Sequence, residues 1–190
     1  MRYLKMAVLN KYFIAIIPPP PIDSQILEMK KGVAEKYFSY GALRSPAHIT
    51  LHMPFNLEKN KERKFLEAIE SWRPNIPSFK VELSDFSCFE PRVIFVNVKD
   101  NPELNSLQVI VVDFMRGHFN IFNQAEDMRG FHPHITVAFR DLKKQFFYQA
   151  WNEFSVMKYK SSFDCCSFCV LRWEENNWNV IKEIVFNTAQ

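Results

Sequence analysis

The tetrapeptide His48-Ile49-Thr50-Leu51 returns as His134-Ile135-Thr136-Val137. Side chains alternate between the two faces of a β-strand, so a histidine and a threonine two positions apart share one face. In the first copy His48, Thr50 and His52 fall on one side, opposed by Ile49, Leu51 and Met53. In the second, His134, Thr136 and Ala138 are opposed by Ile135, Val137 and Phe139. The apolar faces read as core and the polar faces as a site. Paired imidazoles suit acid–base chemistry, because histidine is the side chain whose ordinary pKa lies near neutrality and one ring can accept a proton while the other gives one. Threonine hydroxyls donate to non-bridging phosphate oxygens. A phosphodiester, with an attacking side, a leaving side and two charged oxygens, fits this set of groups.

A single His-x-Thr occurs by chance in many strands with a purely structural role. Two copies at corresponding points of a duplicated unit carry more weight, and the elements around them repeat. An apolar strand over residues 12–17 stops at the proline run 18–21, and Asp23 or Ser24 can cap a helix over 25–38. The first His-x-Thr strand follows, then a helix over 61–72 and a strand over 79–86. The second pass runs through a strand over 93–98, a helix opened by Asn101-Pro102 and reaching 118, the second His-x-Thr strand, and a helix over 142–154. A hairpin of strands 163–173 and 178–186 around Glu174-Glu175-Asn176-Asn177 closes the chain. The expected fold class is α+β: two pseudo-symmetric lobes of antiparallel or mixed sheet with helices outside, and a central cleft carrying the two His-x-Thr strands. Residues 1–190 read as one two-lobed domain, with approximate repeats 11–87 and 92–173 and the hairpin ending at 186.

The paired motifs, together with Tyr12-Phe13-Ile14-Ala15-Ile16-Ile17-Pro18 and Phe131-His132-Pro133-His134-Ile135-Thr136-Val137, resemble the two-histidine phosphoesterase superfamily of 2′-5′ RNA ligase-like proteins and RNA 2′,3′-cyclic phosphodiesterases. The resemblance covers nearly the whole chain. It implies His48 and His134 as catalytic and Thr50 and Thr136 as phosphate-binding, with no metal and no cofactor. The implied substrates are nucleotides or RNA ends carrying a 2′,3′-cyclic phosphate or a 2′-5′ linkage, with ligation as the reverse reaction. Many relatives place a basic residue close behind the second motif; here Val137-Ala138-Phe139 intervene before Arg140. A strand carries Arg140 about 6.6 Å beyond Ala138, to the cleft rim, with a solvent or helix-capping role as the alternative.

Phenylalanine is abundant, with 19 copies. Phe55 and Phe131 flank the motifs and are the candidates to stack on a base, against the alternative that both are core. His52 and His132 are expected to orient or tune the catalytic pair, with a place at the rim as the alternative. The net charge of +3 admits an anionic ligand without marking a nucleic-acid-coating surface. Cys166 and Cys169 have the spacing of a zinc pair, yet no second pair accompanies them, and all four cysteines read as small buried hydrophobes. Two rival readings stand: a metal-dependent hydrolase using His48, His52, His132 and His134, and a protein that binds a nucleotide or RNA end without turnover. No apolar stretch is long enough for a membrane helix, and residues 1–10 read as a short extension without a signal sequence. A cytoplasmic monomer is expected.

Overall fold

The computed structural model describes residues 8–123 and 130–187. Seven residues of the expected N-terminal extension, 1–7, and part of the polar loop ahead of the second motif, 124–129, lie outside the described residues. The opening apolar run forms β1 (Leu9–Ile16), and proline ends it by supplying no ladder donor. The first helix, α1 (Ile22–Tyr37), begins earlier than its capping residues suggest. Neither Asp23 nor Ser24 caps it: Ile22 N–H donates to the Pro19 carbonyl at 3.0 Å, so the proline run itself provides the first turn. A 3-10 turn (Gly41–Arg44) leads into β2 (Ile49–Glu58), followed by α2 (Glu62–Trp72) and β3 (Phe79–Phe89).

The second pass comprises β4 (Val93–Val98), α3 (Pro102–Phe119), β5 (His134–Ala138), α4 (Lys144–Phe154) and β6 (Lys160–Cys165). At the head of α3 the signals are used as expected. Asn101 Oδ1 accepts from Leu104 N–H at 2.8 Å, and Pro102 takes the first helical position, where no N–H is needed. The long apolar stretch 163–173 is not one strand. It breaks at Cys166 into β6 and β7 (Ser167–Glu174), and β7 then pairs with β8 (Asn177–Val185).

All eight strands join one sheet in the order β6-β3-β4-β5-β2-β1-β7-β8, every pair antiparallel. Its halves meet where Ile49 of β2 stands opposite Ile135 of β5. The sequential passes and the spatial halves differ: β3, which ends the first pass, pairs with β4 and β6, while β7 pairs with β1. Strands β6 and β7 are joined by the single residue Cys166, yet stand six places apart in the order. The sheet therefore curls until its two ends approach, since one residue spans only about 3.8 Å between Cα atoms. Phe186 N–H donates to the Cys166 carbonyl at 2.9 Å and holds that junction.

The helices lie on one face. Their apolar stripes, with Ile26, Val33, Phe65, Leu107, Val111 and Phe147, pack on Tyr12, Ile14, Ile49, Val96, Ile135 and Val137 of the sheet in one core. On the opposite face lies a small cluster of Phe13, Ala15, Cys169 and Leu171, and its Phe13 lines a cleft.

Candidate active site

Both motifs carry the same irregularity. Ala15 pairs with Thr50 and Ile14 with His52, so β2 contains one extra residue at Leu51. Phe95 pairs with Thr136 and Ile94 with Ala138, so β5 contains one extra residue at Val137. Each is a β-bulge directly behind a threonine, and a bulge shifts the alternation of every residue that follows it. Thr50 and Thr136 stay in the cleft beside His48 and His134, whereas His52 and Ala138 turn inward to complete burial. His52 therefore does not share a face with His48. Its ring meets Phe55 edge-on at 5.3 Å and its Nδ1 lies 2.8 Å from the Met53 carbonyl. Phe55 is likewise core, stacked on Tyr12 at 5.8 Å, and offers no face to a base. An alternation rule without the bulge misplaces His52, and the burial of Phe55, which follows a second irregularity between His52 and Phe55, withdraws its candidate stacking role.

Extending the Ile49–Ile135 pairing by one residue each way sets His48 across from Thr136 and Thr50 across from His134. The two histidines are then diagonal neighbours, about 7–8 Å apart at their roots. That span leaves room for one phosphate, with a hydroxyl beside each ring.

The rings are anchored identically. His48 Nδ1 lies 2.8 Å from the carbonyl of Pro46, and His134 Nδ1 lies 2.7 Å from the carbonyl of His132, each two residues upstream. A carbonyl can only accept, so Nδ1 carries the proton in the neutral ring and Nε2 presents its lone pair to the cleft. Burial pushes His48 down to about 4, opposed by the Pro46 carbonyl and assisted by the charges of Lys30 and His134. Burial also lowers His134, against the favourable bond to the His132 carbonyl. Both rings are therefore neutral at pH 7 in the unliganded protein. His132 meets its expected partner through the main chain, while its imidazole stands exposed at the rim, 6.1 Å from the His134 ring.

The cleft has a volume of about 1150 Å³, somewhat above the range of roughly 300–1,000 Å³ usual for small-molecule pockets. Four cations line it, Lys11, Arg44, Arg92 and Arg140, against one carboxylate, Glu90, among the described residues. Arg140 is exposed at the rim with its guanidinium 5.6 Å from the Phe139 ring. Phe131 lines the cleft and is partly buried against the core.

Motif reading missed the aromatic walls. On the first side Phe13 lies 5.0 Å from the His48 ring and edge-on to Trp178 at 4.6 Å, and Trp178 meets Trp173 at 5.2 Å. On the second side Phe89 lies 5.3 Å from both His132 and His134. The tryptophans belong to the closing hairpin, and nothing in their spacing from the motifs points to the cleft. Only the return of β7 to pair with β1 brings them there.

One carboxylate ties the two motifs' surroundings together. Asp141, just beyond β5, accepts from Ser39 Oγ, Tyr40 N–H and Gly41 N–H, each at 2.8 Å, and so holds the turn that leads to His48. A Cβ on Gly41 would stand 2.8 Å from Asp141 Oδ1, so a larger residue there would push the carboxylate away from its donors. Asp141→Ala is expected to cost about 1–3 kcal/mol, seen as a fall in Tm of about 2–4 °C per kcal/mol. An unchanged melting curve would contradict that role.

The cysteines divide. Cys165 and Cys169 are buried, and burial pushes each thiol up to about 12. Cys166 is exposed at the junction of β6 and β7, contrary to the expectation that all four are buried. Among the described residues no group of three or more His, Cys, Asp or Glu side chains converges as a metal site.

Comparison with known proteins identifies the family and the fold. A family model described as the 2′-5′ RNA ligase superfamily matches residues 18–177. Two bacterial proteins named as putative phosphoesterases are similar in sequence. GK0864 of Geobacillus kaustophilus (strain HTA426) is 29% identical over 70% of this chain and 70% of its own length. SaurJH1_1032 of Staphylococcus aureus (strain JH1) is 25% identical over 89% of this chain and 95% of its own. The fold is similar to that of TT0787 of Thermus thermophilus, with a TM-score of 0.63 at 15% identity, covering 95% of this chain and 100% of that one. It is similar also to LigT of E. coli complexed with 3′-AMP, with a TM-score of 0.60 at 19% identity over 95% and 100%.

Proposed function

The chain belongs to the 2′-5′ RNA ligase superfamily, and from that membership we propose that it is a metal-independent phosphodiesterase. Its substrates are nucleotides or RNA ends bearing a 2′,3′-cyclic phosphate or a 2′-5′ linkage, and 2′-5′ ligation is the reverse reaction. The observation that carries this reading is the matched pair of rings: each imidazole is fixed at Nδ1 by a carbonyl two residues upstream, and each turns Nε2 into one cationic cleft. The 3′-AMP held by LigT supports a nucleotide as the occupant.

In hydrolysis of a cyclic phosphate, the P–O bond to water forms as one ribose P–O bond breaks. One imidazole takes the proton from water, and the other, protonated, gives its proton to the departing ribose oxygen. The bound phosphate supplies the negative charge that favours a proton on one of two rings otherwise held neutral by burial. Thr50 and Thr136 donate to the non-bridging oxygens as charge gathers on them, and the aromatic walls offer faces on which bases stack. No described helix is long and apolar enough to cross a membrane, and we take the protein to act in the cytoplasm as a monomer.

The test is product analysis with a nucleoside 2′,3′-cyclic phosphate and a 2′-5′-linked dinucleotide, with and without exhaustive chelation, and with a 5′-hydroxyl partner to reveal ligation. Turnover indifferent to the chelator is expected. Binding without turnover of either substrate by the wild type makes the protein a nucleotide-binding module, and loss of activity on chelation makes it a metal-dependent hydrolase.

A further inference from the structure

Lys30 is the one lysine or arginine among the described residues that is buried, with 2% of its surface exposed. It projects from α1 beneath the turn leading to His48, and its ammonium donates to the Ser45 carbonyl at 3.0 Å and to the Pro46 carbonyl at 3.1 Å. Both partners are backbone groups, and neither is a carboxylate. A buried cation without a counter-charge is costly, so its retention needs a reason. The Pro46 carbonyl is also the acceptor for His48 Nδ1–H at 2.8 Å. One oxygen thus joins a buried positive charge to a catalytic ring.

The duplicated unit provides an internal control. Buried positions 26, 30, 33, 34 and 37 of α1 have the same spacing as 104, 108, 111, 112 and 115 of α3. Lys30 corresponds in that spacing to Gln108, a buried neutral amide that lines the cleft. Among these matched positions the two halves differ in charge at one alone, with a cation in one and a neutral amide in the other.

We propose that Lys30 is a positioning residue for His48, gripping the carbonyl that orients the imidazole and opposing protonation of that ring, so that two otherwise equivalent histidines become unequal. An ammonium on the far side of a shared oxygen raises the free energy of an imidazolium there, whereas the charge that acts on the His134 ring is that of the rim imidazole of His132. The other titratable and charged groups around His48 are His134, its diagonal neighbour on β5, Arg44 on the preceding turn, Lys11 on β1 and, further along the cleft, Glu90, Arg92, His132 and Arg140. Burial lowers Lys30 itself to about 8, which leaves it charged at neutral pH.

The inference rests on the proposed reaction for its kinetic arm alone. Its spectroscopic arm uses the unliganded protein and stands if no substrate is turned over. Lys30→Met removes charge and donors at similar volume and is expected to fold, because methionine fills the same buried space without a charge. Lys30→Gln keeps a donor for the carbonyls without the charge. In NMR titrations the His48 midpoint should rise by about one pH unit in both variants, while the His134 midpoint stays in place. With a cyclic phosphate, kcat should fall about ten- to a hundredfold in Lys30→Met with KM little changed, and Lys30→Gln should recover part of that loss. If both variants shift Tm but leave the His48 midpoint and kcat unmoved, Lys30 is a structural plug and the proposal fails. If Lys30→Met does not fold, an unmoved His48 midpoint in Lys30→Gln overturns it equally.

Discussion

His48→Ala and His134→Ala are each expected to lower kcat about 10²–10⁴-fold, the usual contribution of a positioned acid or base. The double variant should be little worse than the poorer single one, because the two rings act as a unit and their effects do not add. The pH dependence is the sharper test. Burial holds both rings below the ordinary histidine value, His48 at about 4. One ring must be charged and the other neutral, so kcat/KM, which reports the free enzyme, should peak on the acid side of neutrality. The kcat profile should lie at higher pH, since bound phosphate favours protonation. A flat profile from about pH 5 to 9 would contradict paired acid–base action.

The same lowered values have a consequence for stability. Between the unfolded value of about 6.5 and the folded values, the unfolded chain binds more protons than the native one, so stability falls as pH drops through that window. Below the folded value of His48, about 4, its share of the loss is complete. His48→Ala should flatten this acid slope in denaturant titrations even as it lowers kcat. An unaltered slope would mean that the native ring titrates normally.

Thr50→Val and Thr136→Val are expected to lower kcat about 10²–10³-fold each, the loss measured for removing one donor aimed at developing oxyanion charge. Valine has the shape and β-propensity of threonine, so the bulges at Leu51 and Val137 and the pairing around them should survive. The effect should fall on kcat more than on KM, because donation strengthens as charge accumulates in the transition state. Serine at either position should restore most of the rate. Valine variants within twofold of wild type would show that the hydroxyls do not touch the phosphate.

Much of this site is written in local sequence. The paired tetrapeptides, their strand character, and the cap and first turn of α3 at Asn101-Pro102 are short-range matters, decided by side-chain alternation and by which residues can satisfy a free N–H. The duplicated order of elements was equally legible, because each amphipathic segment announces its own period. What failed were inferences that assume regularity over distance. His52 lies only two residues beyond Thr50, yet the extra residue at Leu51 carries it inward, and a second extra residue between His52 and Phe55 keeps Phe55 in the core as well. A bulge leaves no reliable mark in composition. The stretch 163–173 looks continuous, since apolar residues suit either half of the sheet, and its break at Cys166 is dictated by which edges are free to pair.

The sequence by itself determined the chemistry on offer: two imidazoles and two hydroxyls on strand faces, in a chain with enough apolar periodicity to bury the rest. Only the tertiary structure decided who stands beside them. The crossing of β7 to β1 brings the tryptophans to the cleft, the reach of Asp141 secures the turn before His48, and the depth of Lys30 sets a charge behind one ring and not the other. The physical reason is range. Periodicity and capping act over one or two turns of chain, whereas the pairing of strand edges and the placing of a buried charge depend on segments that meet only when the whole sheet has closed.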